Sequence, residues 1–288
     1  MKRILSVLII AFLIALVSCE LHDEVSVFVK HKAVVHLVYH YNNGQTETLD
    51  DVKSIRLFIY DREGELYRDT TISPEEFLQD TGAMQTYLSK GNYSFISWAN
   101  VGDLTSVNPV QFSKTTLSIA DNGADCLMFG RCNSPIVKGD SLRFDINLFK
   151  SVFKVNVKVF GLAEAPYPED HYFGIMNRSA LSMDNHPTGE LKRFRPDLTY
   201  NAGVLSGSFY TPYFMAGDNF TVGVYCDNPD SQYTTLCETT IRKFTDYTDN
   251  LIGQDVEINV EININDAGIT ILITDWNGQI IQEAHLGA

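Results

Sequence analysis

The sequence lacks the motifs that usually accompany catalysis. It has no Gly-x-Ser-x-Gly, no His-Glu-x-x-His, no Walker-type phosphate loop and no Gly-x-Gly-x-x-Gly. Each of these would hold a nucleophile, a metal ion or a phosphate group in a defined geometry. Their absence predicts a protein that is not an enzyme and that uses no cofactor. A hydrolase on a β-scaffold ranks only third among the interpretations, because its carboxylate pair would have to be hidden among 36 acidic residues.

Basic residues are scarce. Lysine and arginine together number 22 against 36 aspartate and glutamate residues, which gives a formal net charge of −14. Such a surface repels phosphate backbones and anionic lipid head groups. The charge therefore argues against nucleic acid as a partner and against electrostatic adhesion to a membrane.

Cysteine is also scarce, with five residues in the chain. Cys126 and Cys132 form one local couple, and Cys226 and Cys237 form another. Neither couple has the spacing of a zinc knuckle, and no histidine lies near them, so we expect no metal site. Cys226 and Cys237 flank Asn228-Pro229-Asp230, a turn signal. A disulfide across that hairpin is possible outside the cytoplasm, and one between Cys126 and Cys132 is less favoured because they lie so close in sequence.

Long helical periodicity is absent, and period-two alternation of apolar residues takes its place. The cleanest case runs over residues 256–264, and it is followed by Ile269, Ile271 and Ile273 after an Asp-Ala-Gly turn. Further strands are predicted at 33–41, 55–60, 65–67, 93–98, 142–148, 155–159, 205–210, 219–226 and 239–244. Only Ser73-Pro74-Glu75-Glu76 has the cap, proline and acidic residues of a helix start, and this helix should be one to two turns long. The pattern predicts an all-β protein of packed antiparallel sheets.

The N-terminus carries the most specific signal in the chain. Lys2 and Arg3 precede a fourteen-residue apolar run from Ile4 to Val17, and Leu16-Val17-Ser18-Cys19 follows the pattern of a bacterial lipoprotein signal. The apolar run is too short for a comfortable membrane span. We therefore predict a cleaved signal peptide at residues 1–18 and lipid attachment to Cys19, which tethers the protein to a membrane outside the cytoplasm.

The mature chain of 270 residues fits two domains or one large β-domain. Residues 19–29 read as a lipidated tether. We predict an N-terminal β-sandwich over residues 30–150 and a C-terminal β-sandwich over residues 151–288, with the junction near residues 148–153. The segment 163–203 is rich in Pro, Asn, Asp and Gly, and we interpret it as a long loop with few strand signals.

Several residues could take part in binding, but most have a structural explanation. Four residues of strand separate His36 from His40 by about 13 Å, too far for one metal ion. Trp98 and Trp276 lie in alternating segments, so a core role is favoured over sugar stacking. The loop Pro166–Phe173 combines aromatic residues, polar groups and prolines. It is the best candidate for a recognition surface, although packing on its own domain explains it equally well.

Taken in order, these segments resemble the FimB-type anchor and minor subunits of Bacteroidales fimbriae, the type V pili. The resemblance rests on the lipobox ending at Cys19 and on four segments, namely 52–61 with its Gly64 turn, 93–100, 148–157 and 269–276. It implies two transthyretin-like antiparallel β-sandwich domains in tandem, an outer-membrane anchor, no catalysis, and fimbrial subunits as partners. The family's polymerising subunits resemble substrates of an arginine-specific protease.

Two features refine this interpretation. The first arginine after Cys19 is Arg56, inside a predicted strand, so a cut there would destroy the fold and the chain should keep its lipid. The predicted function is an anchor or accessory subunit that joins the pilus to the membrane by strand addition. The strand that contains Ile271 either takes part in that addition or completes its own sheet. The alternative function is a surface glycan-binding lipoprotein.

Overall fold

The chain folds almost entirely into β-strands. A computed structural model describes residues 33–41, 52–73, 83–136, 141–215, 218, 220–231, 235–241, 256–275 and 277–286. These residues form nineteen strands and two short 3-10 turns, with no α-helix among them. The all-β fold class is therefore confirmed. The lipobox, the turn after Tyr41 and all of the predicted helix except its first residue, Ser73, lie outside the described residues.

Nine strands come from the first half of the chain. Their bounds are β1 Ala33–Tyr41, β2 Ile55–Tyr60, β3 Leu66–Ile72, β4 Ala83–Leu88, β5 Gly91–Ala99, β6 Thr105–Val107, β7 Thr116–Ile119, β8 Met128–Ile136 and β9 Ser141–Lys150. Seven of them follow the order β3-β2-β5-β8-β9-β1-β4. Strand β9 pairs with β1 along most of its length and with β8 only at its end. It therefore passes from one layer of a sandwich to the other.

The second half contributes ten strands. Their bounds are β10 Val152–Phe160, β11 His171–Ser182, β12 Pro187–Phe194, β13 Thr199–Asn201, β14 Val204–Pro212, β15 Phe220–Cys226, β16 Thr235–Ile241, β17 Glu257–Asn265, β18 Gly268–Asp275 and β19 Ile280–Leu286. One sheet has the order β13-β14-β10-β17-β18-β19 and the facing sheet the order β16-β15-β11-β7-β6, with β12 paired to β11. Most pairs are antiparallel, but β1 with β9 and β10 with β17 are parallel.

Strand alternation divides β2 and β5 between two hydrophobic cores. Ile55, Leu57 and Ile59 of β2 point into the core of the first sandwich. Phe58 and Tyr60 point to the opposite face, where they join a larger cluster that also contains the apolar residues of the second half. Trp98 of β5 lies on that same outer face and is fully buried. The predicted core role of Trp98 is therefore confirmed, whereas Trp276 lies outside the described residues.

The segment between β5 and β8 connects the two halves. It forms the hairpin β6–β7, and β7 pairs with β11, so Leu117 lies opposite Leu181. Further along, the Ala124 N–H donates to the Tyr210 carbonyl at 2.8 Å. The sheet pairing thus crosses the predicted boundary near residue 150, because strands from the first half complete a sheet of the second. The two-domain division at that position stays a prediction.

The segment 163–203 differs from its prediction. In place of a long loop it contains β11, β12 and β13, with β11 and β12 forming an antiparallel pair interrupted by a bulge at Arg178 to Ala180. Strand β12 shows little apolar alternation because only Phe194 of its residues is buried. This weak pattern resembles that of a loop, so the sequence does not predict β12.

Candidate functional site: the sheet edges and the open clefts

The outer strands of the two sandwiches are the first candidate surfaces, since an unpaired strand edge offers backbone groups to a partner. In the second sandwich β19 is an outer strand of one sheet and β16 an outer strand of the other. The Gln282 side chain donates to the Thr240 carbonyl at 3.1 Å and joins these two edges. Beside this contact Ile281 is buried, while Ile280 is 57% exposed.

The corresponding edges of the first sandwich are joined in a similar way. The Arg68 guanidinium of β3 donates to the Thr86 hydroxyl of β4 at 2.7 Å, and Thr86 is buried. Both sandwiches thus have one side where two strand edges lie near each other and a side chain connects them.

The terminal alternation containing Ile271 lies inside its sheet. Strand β18 pairs with β17 on one side and with β19 on the other, and Ile271 and Ile273 are fully buried. Of the two roles that the sequence left open, the structure supports completion of the strand's own sheet. Among the described residues, β19 is the outer strand on this side of the sheet, and its mixed burial pattern gives a weak sequence signal.

The cysteines of the predicted hairpin lie on adjacent strands as free thiols. Cys237 is opposite Val224 in the register, and both Cys226 and Cys237 are buried. Burial raises the pKa of the Cys237 thiol to about 11, which keeps it protonated and unreactive near neutral pH. The disulfide between Cys226 and Cys237 stays a prediction.

Arg56 lies within β2, between β3 and β5, in agreement with the predicted strand. Its guanidinium donates two hydrogen bonds to Asp69, at 3.0 and 2.8 Å, and stacks over the Phe58 ring. The hydrogen bond to Asp69 is the main cause of a raised pKa for Arg56. Cleavage at this position would interrupt a strand that is paired on both sides.

The predicted recognition loop Pro166–Phe173 is partly packed into the fold. His171 to Phe173 already belong to β11, and Phe173 is fully buried. The imidazole Nδ1 of His171 lies 2.9 Å from the Tyr167 carbonyl. Tyr167 has a left-handed backbone conformation, with φ 55. It is the large aromatic residue of this loop that is exposed, with 43% of its surface accessible to solvent.

Arginine side chains cover two tyrosine rings on the neighbouring strands β11 and β15. Arg195 lies 4.1 Å from the ring centroid of Tyr172, and Arg193 lies 3.9 Å from that of Tyr225. The Tyr225 hydroxyl donates to Glu238 at 2.5 Å. Burial and that hydrogen bond raise the pKa of Tyr225. Because these rings are covered by the protein's own cations, they offer no open platform for a sugar.

A cleft of about 370 Å³ opens where the two halves meet, lined in part by Lys53, Asp125 and Tyr210. Asn100 also lines this cleft and has a left-handed backbone conformation, with φ 61. The Lys53 N–H donates to Asn100 Oδ1 at 2.7 Å, and Asn100 Nδ2 donates to the Cys126 carbonyl at 3.1 Å. Asn100 therefore connects three chain segments, a role that sequence reasoning did not identify.

Metal binding has no support within the described residues, where no group of three His, Cys, Asp or Glu side chains converges. His36 lies opposite Arg143 and His40 opposite Asn147, four positions apart on one strand. Asp275 accepts the N–H groups of Asn277 and Gln279 at 2.9 and 2.8 Å, which confirms turn chemistry for that segment. Within the same described part, no helix has the length and apolar character to cross a membrane.

Solved structures with a similar fold include proteins from species of Bacteroides and Porphyromonas. A candidate polysaccharide-binding protein from Bacteroides thetaiotaomicron superposes with a TM-score of 0.65 at 12% identity, covering 86% of this chain and 100% of its own. A candidate adhesin from Bacteroides ovatus gives 0.65 at 14% identity, with 89% and 97% covered. The fimbrial anchor protein Mfa2 from Porphyromonas gingivalis gives 0.61 at 15% identity, with 88% and 100% covered.

No curated protein sequence matches the chain. A family model described as fimbrillin-A associated anchor proteins Mfa1 and Mfa2, however, matches residues 22–281. That range covers nearly all of the chain, including both sandwiches and the segment that crosses between them. The match confirms the resemblance found in the sequence, and the chain belongs to the family of fimbrillin-A associated anchor proteins.

Proposed function

We propose that this protein is a non-catalytic outer-membrane lipoprotein that serves as an anchor or accessory subunit of cell-surface fimbriae. The observation that carries the proposal is the family match over residues 22–281, which begins three residues after the lipobox cysteine. Family membership supports a fimbrial or adhesin role and a structural rather than enzymatic one. Fimbrial subunits are the protein partners that this role requires.

The first part of the proposal is lipid attachment at Cys19. Several acyl chains together hold a protein at a membrane far more stably than a single chain does. Replacing Cys19 with Ala should move the protein from the outer-membrane fraction to the soluble periplasm or the medium, with fimbriae released alongside it. Incorporation of a palmitate analogue measures the lipid directly. A variant that stays with the membrane and still carries label would show that the anchor lies elsewhere.

The second part is strand addition, for which the exposed edge of β19 is the best-supported position. An edge strand presents unpaired backbone groups, and alternate side chains of an added strand can enter pockets beside it. Ile280 is 57% exposed on this strand, and Glu283 and His285 also face solvent. The same sheet ends on its opposite side at β13, which provides a matched control edge.

Site-specific photo-crosslinking on fimbriated cells tests this edge. A crosslinker at Glu283 of β19 should capture a fimbrial subunit, and one at the exposed Asn201 of β13 should not. Both positions lie on outer strands of one sheet, so they differ mainly in which edge they report. Capture from Asn201 alone would transfer the contact to β13, and capture from neither would rule out strand addition at this sheet.

The alternative function, a surface glycan-binding lipoprotein, requires several exposed aromatic residues on one face. Trp98 is fully buried, and Tyr172 and Tyr225 lie beneath arginine side chains. These three aromatic side chains are therefore not available to stack on a glycan, which favours the fimbrial role over the glycan-binding one.

A further inference from the structure

The outer face of the β2–β5–β8 layer is apolar and buried at one end and polar and open at the other. Phe58, Ile96 and Trp98 are buried there beneath the segment that crosses between the halves. That cover ends at Phe112, whose N–H donates to the Gly64 carbonyl at 2.8 Å and whose ring lies under the Arg131 guanidinium. Beyond this point the same face continues with polar residues and lies open.

A cleft of about 330 Å³ occupies the open end. It is lined by Asp61, Arg62, Asn92, Tyr93, Ser94, Asn133, Ser134 and Pro135. Three of the polar residues come from neighbouring strands in fixed register, since Ser94 of β5 lies opposite Asn133 of β8 and Asn92 lies two residues away on the same face. Strand pairing therefore sets their spacing, with side chains about 5 Å apart across the pair and about 7 Å apart along the strand.

The polar groups of the cleft are held in place but are mostly unused. In the described part of the chain, the side chains of Arg62, Asn92 and Ser94 make no hydrogen bond, and the Asn133 amide oxygen accepts only a 3.3 Å contact from Arg131. The turn that carries Arg62 is firm, because Asp61 Oδ1 accepts the Glu65 N–H at 2.9 Å. The cleft thus combines a rigid floor and wall with free donors and acceptors.

The composition of the cleft selects among ligand classes. One guanidinium beside one carboxylate gives no concentrated positive charge for phosphate or a polyanion. The floor is a sheet face rather than an edge, so there is no backbone ladder for a peptide to extend. An asparagine amide presents a donor and an acceptor side by side, which matches neighbouring hydroxyl groups of a sugar. The volume lies at the small end of the range for small-molecule sites.

We propose that this cleft binds the hydroxyl-rich end of a carbohydrate, with Asn92, Ser94 and Asn133 as the floor contacts and Arg62 as the wall contact. The site is separate from the strand edges that serve fimbrial assembly. It gives the protein a sugar-binding activity in addition to its proposed structural role.

Two sources would present the same sugar chemistry. One is an external neutral glycan. The other is the sugar portion of a glycolipid in the protein's own membrane, since Ala33 at the start of β1 pairs with Leu88, only four residues before Asn92. The fourteen residues from Cys19 to Ala33 span at most about 50 Å. This second source rests on the proposed anchoring at Cys19, whereas the first does not.

Binding measurements on the full mature lipoprotein in detergent test the site and separate the sources. One probe is a panel of neutral oligosaccharides ending in galactose, glucose, mannose, fucose or N-acetylglucosamine, and the other is lipopolysaccharide from the producing bacterium. The double variant Asn92→Ala/Asn133→Ala should bind at least about tenfold more weakly than the parent. The exposed Asn201→Ala on β13 is the matched control and should bind unchanged.

Each outcome has a defined meaning. Site-dependent binding to the neutral panel supports an external glycan, and site-dependent binding to lipopolysaccharide alone supports the membrane sugar. No binding to either probe, or equal binding by the double variant, overturns the proposal. Should the double variant fold poorly by circular dichroism, Ser94→Ala and Arg62→Gln provide single changes outside the core. Retention of fimbriae by these variants is expected and keeps this test independent of the anchor proposal.

Discussion

Two central layers of the molecule, β2–β5 and β10–β17, both have side chains that alternate between two faces, but they differ in how many of those faces are buried. The β2–β5 layer buries both faces over most of its length, with Leu57 in the core of the first sandwich and Phe58 in the larger cluster. The β10–β17 sheet buries one face and presents Lys154, Asn156 and Glu257 on the other. The difference shows that the first layer lies in the middle of the molecule, covered by the segment that also supplies β6 and β7 to the second half.

The largest expected effect comes from separating the halves. A fragment of residues 151–288 lacks β6 and β7 and loses Leu117 and Ile119 from the larger cluster. We expect it to show no cooperative urea transition, because its sheet and core are incomplete. Linking residues 101–127 to this fragment should restore the transition. Cooperative unfolding of residues 151–288 alone would show that the crossing segment is not required.

Replacing Trp98 with Ala tests the buried outer face directly. Trp98 is fully buried and its ring packs against Phe129 at a centroid distance of 5.0 Å. Loss of this side chain should lower the free energy of unfolding by about 3–5 kcal/mol, measured from urea midpoints. Tyr87→Ala is the control at a 56% exposed position and should change it by less than about 0.5 kcal/mol. Similar losses for both variants would contradict the assignment of this face to the core.

Asn177 connects the two facing sheets of the second half. It is fully buried, and its Nδ2 donates to the Thr211 hydroxyl at 2.9 Å and to the Pro212 carbonyl at 2.7 Å. Asn177→Ala removes both of these buried hydrogen bonds and should cost about 1–3 kcal/mol of unfolding free energy. Asn201→Ala on the exposed strand β13 is the matched control. A neutral result at Asn177 would mean that the sheets are held by apolar packing alone.

The smallest effect is expected at the solvent-facing side of the β10–β17 sheet. Burial raises the pKa of Glu257, but hydrogen bonds from Lys154 and Asn156 outweigh it and hold the pKa below its ordinary value of 4.5. A carboxyl with a depressed folded-state pKa stabilises the protein above its unfolded pKa. That contribution is lost as the pH falls through the folded value.

Glu257→Gln should therefore lower the free energy of unfolding slightly at pH 7, flatten its pH dependence below about pH 4.5, and leave variant and parent equally stable at acid pH. The exposed ion pair is worth at most about 1 kcal/mol and weakens with salt. Thermal unfolding from pH 3 to 7 at low and high salt measures both effects. An unchanged slope at acid pH would show that the Lys154 contact makes no contribution.

The sequence predicts those strands that have one face in a hydrophobic core and the other face nearer to solvent. Residues 256–264 alternate cleanly and form β17, and residues 55–60 form β2. It did not predict β12, whose residues are mostly half-exposed and so carry little alternation. The pairing of β7 with β11 also escaped prediction, because local pattern specifies a strand but not a partner about 60 residues away.

The candidate sites were harder to predict than the fold. Arg56 was placed correctly within a strand because its apolar neighbours define that strand. The sequence does not predict the edge position of β19, because β18, an interior strand, has the stronger apolar alternation. The proposed sugar cleft has no sequence signal. Asn92 and Asn133 come together only through the register of β5 and β8, and the absence of a hydrogen bond at the Asn92 side chain is a property of the folded, described part of the chain.

The parallel pairing of β1 with β9 has a consequence for the order of folding. Val34 lies opposite Ser141, and Tyr41 lies opposite Leu148. Strand β1 can therefore form this pairing only with a strand more than one hundred residues later in the chain. Closing so long a loop is entropically costly and slows folding in proteins rich in such distant contacts. During that delay the apolar side chains of β1 lack one of their two strand neighbours, and this interval is when aggregation competes with folding. A refolding experiment should accordingly give its best yield at low protein concentration, where intermolecular pairing is slower than completion of the sheet.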